Sequence, residues 1–261
     1  MKRIGIITYH RSQNYGAQLQ ACATRIVLEQ MGCQAEVIDC NRIGEEKKLF
    51  HWHTASLKAL LGSARNNVLS LISERSRRRK FAAFSRDCVG RSTPCHTRKA
   101  LEGKCRQYDA VITGSDQVWH PQICEGRREF FLDLPLRSEQ KIAYAPSFGV
   151  SEYTEDEVAA YMPLINDIAH LSVREHAGQE LILRHTGRYA PLVVDPTMLL
   201  TATDWNRLAT PTPYQHYLLY FTILDEPSGL DAAVRRLAAR RNLKIVRIGL
   251  VKDIIKPGFI N

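Results

Sequence analysis

The sequence predicts an α/β protein built on a Rossmann-like parallel sheet, with the start of a second, incomplete Rossmann-like domain. Three stretches near the N-terminus predict it. "RIGIITYH" is a short apolar run that leaves into a polar loop. "GAQLQACATRIVLEQMG" follows as a helix, with Leu19, Ala23, Ile26, Val27 and Met31 at the three-four spacing of an apolar stripe. "AEVIDC" is a second short strand. Strand, helix and strand at this spacing make a βαβ unit, whose two strands run parallel.

The remaining elements follow in order. Gly32 stands where the first helix stops. Residues 41 to 107 read as an excursion of one or two basic helices, with periodicity around Val68, Leu69 and Ile72 and again at Phe81 and Phe84. "DAVIT" resumes the sheet, and "KIAYAPSFG" is a further strand with its exit loop. Thr154 and Glu157 form a capping box that opens a helix through about His170. "LSVRE" is another strand, "HAGQELILRHTG" another helix, and "PLVVDPTML" a strand leaving into a loop. The polar stretch "TATDWNRLATPTPYQ" then separates residues 1–206 from residues 207–261. "HYLLYFTI", a helix from Asp231 to Arg241, and "LKIVRIGL" begin a second βαβ unit. Two strands and one helix do not bury a core of their own. This part is therefore expected to pack onto the first domain or to belong to something longer.

Composition narrows the class. A 261-residue chain with 44% apolar residues has room for one large domain or two smaller ones. No apolar run approaches the ~20 residues that span a bilayer. "MKRIGIITYH" lacks the features of a signal peptide, which points to the cytoplasm. The seven cysteines are odd in number and none sits at C-x-x-C spacing, so neither a disulfide framework nor a zinc site is indicated. The net charge of +9 owes much to "ERSRRRKF", residues 74 to 81. That run reads as a solvated helical face. No nucleic-acid-binding motif accompanies it, and contact with a membrane surface bearing a lipid-linked substrate is a weaker option.

Ligands of an open parallel sheet bind outside the carboxyl ends of the strands. Several polar clusters fall there. In "HRSQNYGAQ", Asn14 is a natural N-cap, Gly16 allows close backbone approach, and the helix start offers free N–H groups to an anion. In "GSDQVWHP", Gly114 frees the turn, Ser115, Asp116 and Gln117 suit sugar hydroxyls, and Trp119 offers a flat face to a pyranose ring. His120 is an ordinary loop residue or a base. "APSFG" holds Ser147, Phe148 and Gly149 at a third strand end, and "SVREH" holds Arg174 at a fourth. A guanidinium binds two oxygens of a phosphate or carboxylate, but an ion pair within the protein is the alternative use. Asp195, before a proline, reads as a turn residue.

Taken together, "IGIITYHRSQNYGAQLQACA", "YDAVITGSDQVWHP", "KIAYAPSFG", "LSVREHAGQELI" and "VVDPTMLL" resemble, in this order and spacing, the polysaccharide pyruvyl transferase family. The resemblance runs from Met1 to about Gly249, and GSDQVW is its most specific part. It implies a GT-B-like architecture of two Rossmann-like domains. It also implies transfer of a pyruvyl group from phosphoenolpyruvate to a saccharide in cell-surface or exopolysaccharide biosynthesis, often as a ketal across two hydroxyls. The substrate-binding residues it implies are Asn14, Tyr15, Gly16, Gln18, Gly114, Ser115, Asp116, Gln117, Trp119, Ser147, Phe148, Gly149 and Arg174. Phosphoenolpyruvate is the donor, the acceptor is a saccharide with a lipid-linked form among the options, and no cofactor or metal is required. The family's late Arg/His motif is expected beyond residue 261, which makes this chain a C-terminally truncated member and leaves the catalytic acid and base unassigned. A glycosyltransferase using a nucleotide sugar, and a non-catalytic remnant, are the competing readings.

Overall fold

A computed structural model of the chain describes residues 1–11, 14–40, 75, 77–221 and 228–248. Five short strands form one sheet: β1 (Arg3–Ile7), β2 (Gln34–Val37), β3 (Ala110–Thr113), β4 (Lys141–Ala143) and β5 (His170–Leu171). Their order is β2-β1-β3-β4-β5, and every neighbouring pair is parallel. The sheet is thus the Rossmann-like one that the βαβ reading predicts. The chain moves outward from β1 to β2, then returns to the other side of β1 for β3. The switch point where ligands gather in such sheets therefore lies between the carboxyl ends of β1 and β3.

The strands are buried on both faces, as parallel sheets require. On one face Ile6, Ala35 and Val37 pack with Ala21 and Cys22 of the first helix, α1 (Tyr15–Gln30). On the other, Ile7, Val111 and Ala143 join the aromatic core of Trp119, Phe130, Phe131 and Phe148. Further helices in this part include α2 (Arg98–Cys105), α3 (Glu155–Asn166) and α4 (His176–Thr186). A short α5 (Ala202–Leu208) follows.

Local signals set several boundaries. The Thr154–Glu157 capping box forms as expected, and Gly187 ends α4 at φ 70°. The helix that opens at Thr154 ends at Asn166, short of His170, because His170 already pairs with Ile142 as β5. "LSVRE" supplies only the second residue of that strand, plus an isolated bridge from Val173 to Leu192. "PLVVDPTML" forms no strand beyond this bridge, since Pro196 opens a 3₁₀ turn, Pro196–Met198. The stripe expected on α1 is also corrected. Ala23 of that stripe is buried and Ile26 packs against the core, but Leu19 and Met31 are exposed, and Ala17, Gln18, Gln20, Ala21, Cys22 and Thr24, outside the stripe, are buried. The first half of α1 is enclosed on more than one side, and the Pro196–Met198 turn packs along the helix. Small side chains allow that close approach, which a large apolar stripe would prevent.

Val68, Leu69 and Ile72 lie outside the described residues. Residues 77 to 84 are helical and run into a π-type turn, Ser85–Val89. Arg79 and Lys80 of the basic run are exposed. Among the described residues, no helix is long and apolar enough to cross a membrane.

The chain divides into two compact units, one of Met1–Glu46 with Lys80–Leu208 and one of Lys47–Arg79 with Ala209–Asn261. In the second, β6 (Tyr217–Phe221) and β7 (Lys244–Ile248) pair in parallel, and α6 (Leu230–Arg240) packs on them through Val234 and Ala238 against Tyr220 and Ile245.

Gly5 on β1 shows how tightly the first sheet is covered. A Cβ there would stand 2.7 Å from Ile38 Cδ1 and 2.8 Å from Tyr108 Cδ2. Gly5→Ala is expected to destabilise the protein by about 1–3 kcal/mol through overpacking, read as a lower urea midpoint with an unchanged slope. An unchanged midpoint would show that the sheet relaxes freely at this position.

Candidate functional site

All five strands of the first unit present loops at their carboxyl ends. At the switch point, β1 exits through Thr8, Tyr9, His10 and Arg11, and β3 exits through Gly114. Gly114 lies close under Thr8: a Cβ there would stand 3.1 Å from Thr8 Cβ, a tight contact, and 3.5 Å from Gln20 Oε1. Gln20 reaches from α1 to bind Thr8 Oγ1 at 2.9 Å and the Tyr9 carbonyl at 3.2 Å. Beside them Asp39, at the end of β2, gathers cations. It accepts from Arg11 Nε at 2.7 Å, faces His10 Nε2 at 3.1 Å, and lies 3.9 Å from Arg91. Burial works to raise the Asp39 carboxyl, but the contacts from His10 and Arg11 outweigh it and hold the group well below the usual carboxylate range. His10 Nδ1 faces the Thr8 carbonyl at 2.9 Å. Both ring nitrogens therefore have a protein oxygen within hydrogen-bond distance.

The other side of β3 holds a second cluster. Ser115 Oγ donates to Asp195 Oδ2 at 2.6 Å, and Arg174 Nη1 meets the same oxygen at 3.4 Å. Arg174 Nε lies 4.0 Å from Glu175 Oε2. Asp195 Oδ1 accepts from Thr197 N at 2.9 Å and Thr197 Oγ1 at 2.6 Å, which confirms its turn role and adds a second one. Asp116 Oδ1 accepts from Gln117 N at 2.8 Å. Burial raises the Asp116 carboxyl above its usual range; the Gln117 N–H and Arg174 oppose the rise, and Asp195 adds to it.

The loop after β4 is tied down by Glu175, the residue before α4. Its carboxylate accepts from Ser147 Oγ at 2.9 Å, Phe148 N at 2.8 Å and Gly149 N at 3.2 Å. These are the donors of the third cluster, and a side chain of the protein already occupies them. Gly149 has φ 64°, and a Cβ there would meet Gln117 Nε2 and His120 Cδ2, each at 2.8 Å. Ser147 N also donates to the Asp116 carbonyl at 2.8 Å, and Trp119 N to the Ser147 carbonyl at 3.2 Å. The β3 and β4 exit loops thus form one surface. His120 Nδ1 serves this turn by accepting from Gln122 N at 3.2 Å.

Trp119 does not offer the ring face expected of it. The residue is fully buried. Its indole N–H donates to the Phe130 carbonyl at 3.0 Å, and its ring stacks on Phe131 and meets Phe148 edge-on. Apolar partners on several sides and a satisfied N–H make the interior its stable place. Phe148 is buried with it. These two residues shape the loops from beneath.

At the start of α1, Asn14 caps the helix by accepting from Ala17 N at 3.2 Å. Gly16 lies against this cap, where a Cβ would come 3.3 Å from Asn14 Oδ1. Tyr15 is exposed and its ring meets Phe81 at 4.9 Å between centroids. Gln18 is buried and donates to the His10 carbonyl. Of the residues picked out by sequence, the structure brings Ser115, Asp116 and Arg174 together around Asp195. Asp39, Glu175 and Gln20 were missed. The acid immediately after Arg174 at a strand end was the one available signal. Among the described residues, no group of three His, Cys, Asp or Glu side chains is placed to hold a metal.

Two measurements check this geometry. Glu175→Leu removes the acceptor of three donors and is expected to cost about 1–3 kcal/mol, seen in urea unfolding. An unaffected protein would mean the loop is held by packing alone. Asp39 has a folded-state pKa below its unfolded one, so its stabilisation is present above about pH 4 and is lost as pH falls below that value. Asp39→Asn should therefore be less stable than the parent near neutral pH, and the gap should shrink as the pH falls below about 4. A gap that stays constant down through acid pH would show that the Asp39 charge is not what the cluster uses.

The family model described as polysaccharide pyruvyl transferase matches residues 14–260. No curated protein and no solved structure matches the chain. The motifs at the carboxyl edge, the parallel sheet that carries them and a match over nearly the whole sequence agree: this chain belongs to the polysaccharide pyruvyl transferase family.

Proposed function

We propose that this protein transfers a pyruvyl group from phosphoenolpyruvate to hydroxyls of a saccharide, in the cytoplasm and as a step of cell-surface or exopolysaccharide synthesis. The observation that carries the reading is the family match over residues 14–260. The proposal includes the GT-B-like, two-domain arrangement that the resemblance implies, divided near residue 207. It requires no cofactor, and the acceptor is a saccharide, lipid-linked or free.

The geometry supports the donor in one respect. Phosphoenolpyruvate carries a phosphate and a carboxylate, so it needs a cation with two-pronged reach. Arg174 stands at the carboxyl edge with part of its side chain exposed. Its contact to Asp195, at 3.4 Å, is longer than the ~2.7–2.9 Å of a strong charge-assisted bond. An incoming oxyanion therefore competes with a loose pair rather than a tight one. Asp116 stands beside it; Ser115, expected from the sequence to meet sugar hydroxyls, is instead fully buried, with its hydroxyl donated to Asp195. Charge builds on the departing phosphate during transfer, and a fixed guanidinium is most useful there.

Arg174→Lys keeps the charge and loses the fork. It is expected to weaken phosphoenolpyruvate binding about ten- to a hundredfold, the worth of one charge-assisted hydrogen bond. Calorimetric titration of parent and variant reads this directly. Equal affinities would make Arg174 a structural partner of Asp195. A parent that binds a nucleotide sugar and ignores phosphoenolpyruvate would favour a glycosyltransferase.

A further inference from the structure

We propose that Asp116 is the proton carrier of this site, taking up a proton when the anionic donor binds beside Arg174 and delivering it during transfer. The assignment rests on the pyruvyl-transfer reading and supplies the acid that the reading lacks.

The geometry separates the two carboxyl oxygens of Asp116. Oδ1 is anchored by Gln117 N at 2.8 Å, which fixes the group in place. The backbone is fixed as well, because the Asp116 carbonyl accepts from Ser147 N and the Asp116 N–H donates to the Gly114 carbonyl at 3.1 Å. The carboxyl belongs to the β3 exit and shares that edge with the Ser115–Asp195–Arg174 cluster. Its ionisable neighbours come from three elements: Arg174 after β5, Asp195 before the Pro196–Met198 turn, and Tyr9 after β1. Arg174 is the one cation among them, and it is already shared with Asp195 and Glu175.

This balance sets the direction of the effect. Burial favours the neutral acid at Asp116, and the charge of Asp195 favours it further. Arg174 is what resists. When a donor phosphate or carboxylate engages Arg174, that resistance falls and a new negative charge arrives. Both changes favour protonation of Asp116. The other carboxyls have different fates. Glu175 is held by three donors, and Asp195 by Ser115, Thr197 and Arg174. Their oxygens are already taken by these donors, whereas the anchor of Asp116, Gln117 N, engages Oδ1, so the proton goes to Asp116.

The transfer then balances as follows. The Asp116 O–H bond breaks and a C–H bond forms at the methylene carbon, using the carbon–carbon double-bond pair of the enol. The first acceptor oxygen bonds to the adjacent carbon, and its proton returns to the Asp116 carboxylate. The second acceptor oxygen bonds to the same carbon as the bond to the phosphate oxygen breaks. Phosphate leaves with that electron pair and the second hydroxyl proton. Asp116 ends as it began.

The test is proton uptake on binding. Phosphoenolpyruvate is titrated calorimetrically into the full chain near neutral pH, in buffers of different ionisation heat. Proton uptake by the phosphate itself is common to all variants, so the difference between them is the readout. Asp116→Asn keeps the Oδ1 acceptor for Gln117 N and is expected to bind the donor with lower proton uptake than the parent. Asp116→Glu keeps the carboxyl and is expected to retain the uptake, which guards against a variant that merely misfolds. With an accepted saccharide, Asp116→Asn should slow turnover about 10²- to 10⁴-fold, the range of general acid catalysis. Equal uptake in the parent and Asp116→Asn would overturn the assignment and leave the donor reading standing. A parent that does not bind phosphoenolpyruvate would overturn both.

Discussion

One carboxylate holds the carboxyl edge together. Glu175 accepts from Ser147 Oγ, Phe148 N and Gly149 N, and so fastens the loop after β4 to the residue that opens α4. The backbone donors would otherwise be left without these partners at the top of a parallel sheet, where each missing bond costs about 1–3 kcal/mol. With the loop fixed, Ser147 N orients the Asp116 carbonyl, and Gly149 packs against Gln117 and His120. Phe148 can then turn inward onto Trp119. The aromatic core beneath the edge and the polar surface above it are two sides of the same constraint.

The charges at that edge follow from who is already paired. Four ionisable groups meet near the ends of β3 and β5: Asp116, Arg174, Glu175 and Asp195. If all were charged, three anions would face one cation, a poor setting for a donor that carries several negative charges. The fold reduces this conflict in two ways. It surrounds Glu175 and Asp195 with hydrogen-bond donors, and it buries Asp116, which raises that carboxyl above its usual range. Arg174 keeps only a loose hold on Asp195, so its positive charge can be redirected. At the opposite side of the switch point the arrangement reverses: Asp39 is one buried anion among His10, Arg11 and Arg91.

Much of the fold was legible because local rules governed it. The β1–α1–β2 unit, the capping box at Thr154 and the glycine stop at Gly32 depend on residues near one another in sequence. The edge on which the polar clusters fall follows from strand direction alone. What was illegible depended on distant partners. Whether Trp119 faces a sugar or the core is decided by Phe130, Phe131 and Phe148, and nothing in GSDQVW encodes them. The stripe on α1 misled because spacing finds one apolar face, whereas the first half of this helix is enclosed more widely by small residues. Glu175 immediately precedes α4 in sequence, but its side chain serves a loop 26 to 28 residues away. Arg174 was placed at the right edge by sequence, while its partner Asp195 comes from 21 residues further on.

The most direct measurement is a crystal structure of the chain with phosphoenolpyruvate bound. The site described above predicts the donor at the carboxyl ends of β3 and β5, with phosphate or carboxylate oxygens on the Arg174 guanidinium and Asp116 facing the methylene carbon. It also predicts that Glu175 stays on Ser147, Phe148 and Gly149. Phosphoenolpyruvate bound at the amino edge of the sheet, or bound with Arg174 still turned to Asp195 and away from the ligand, would contradict it.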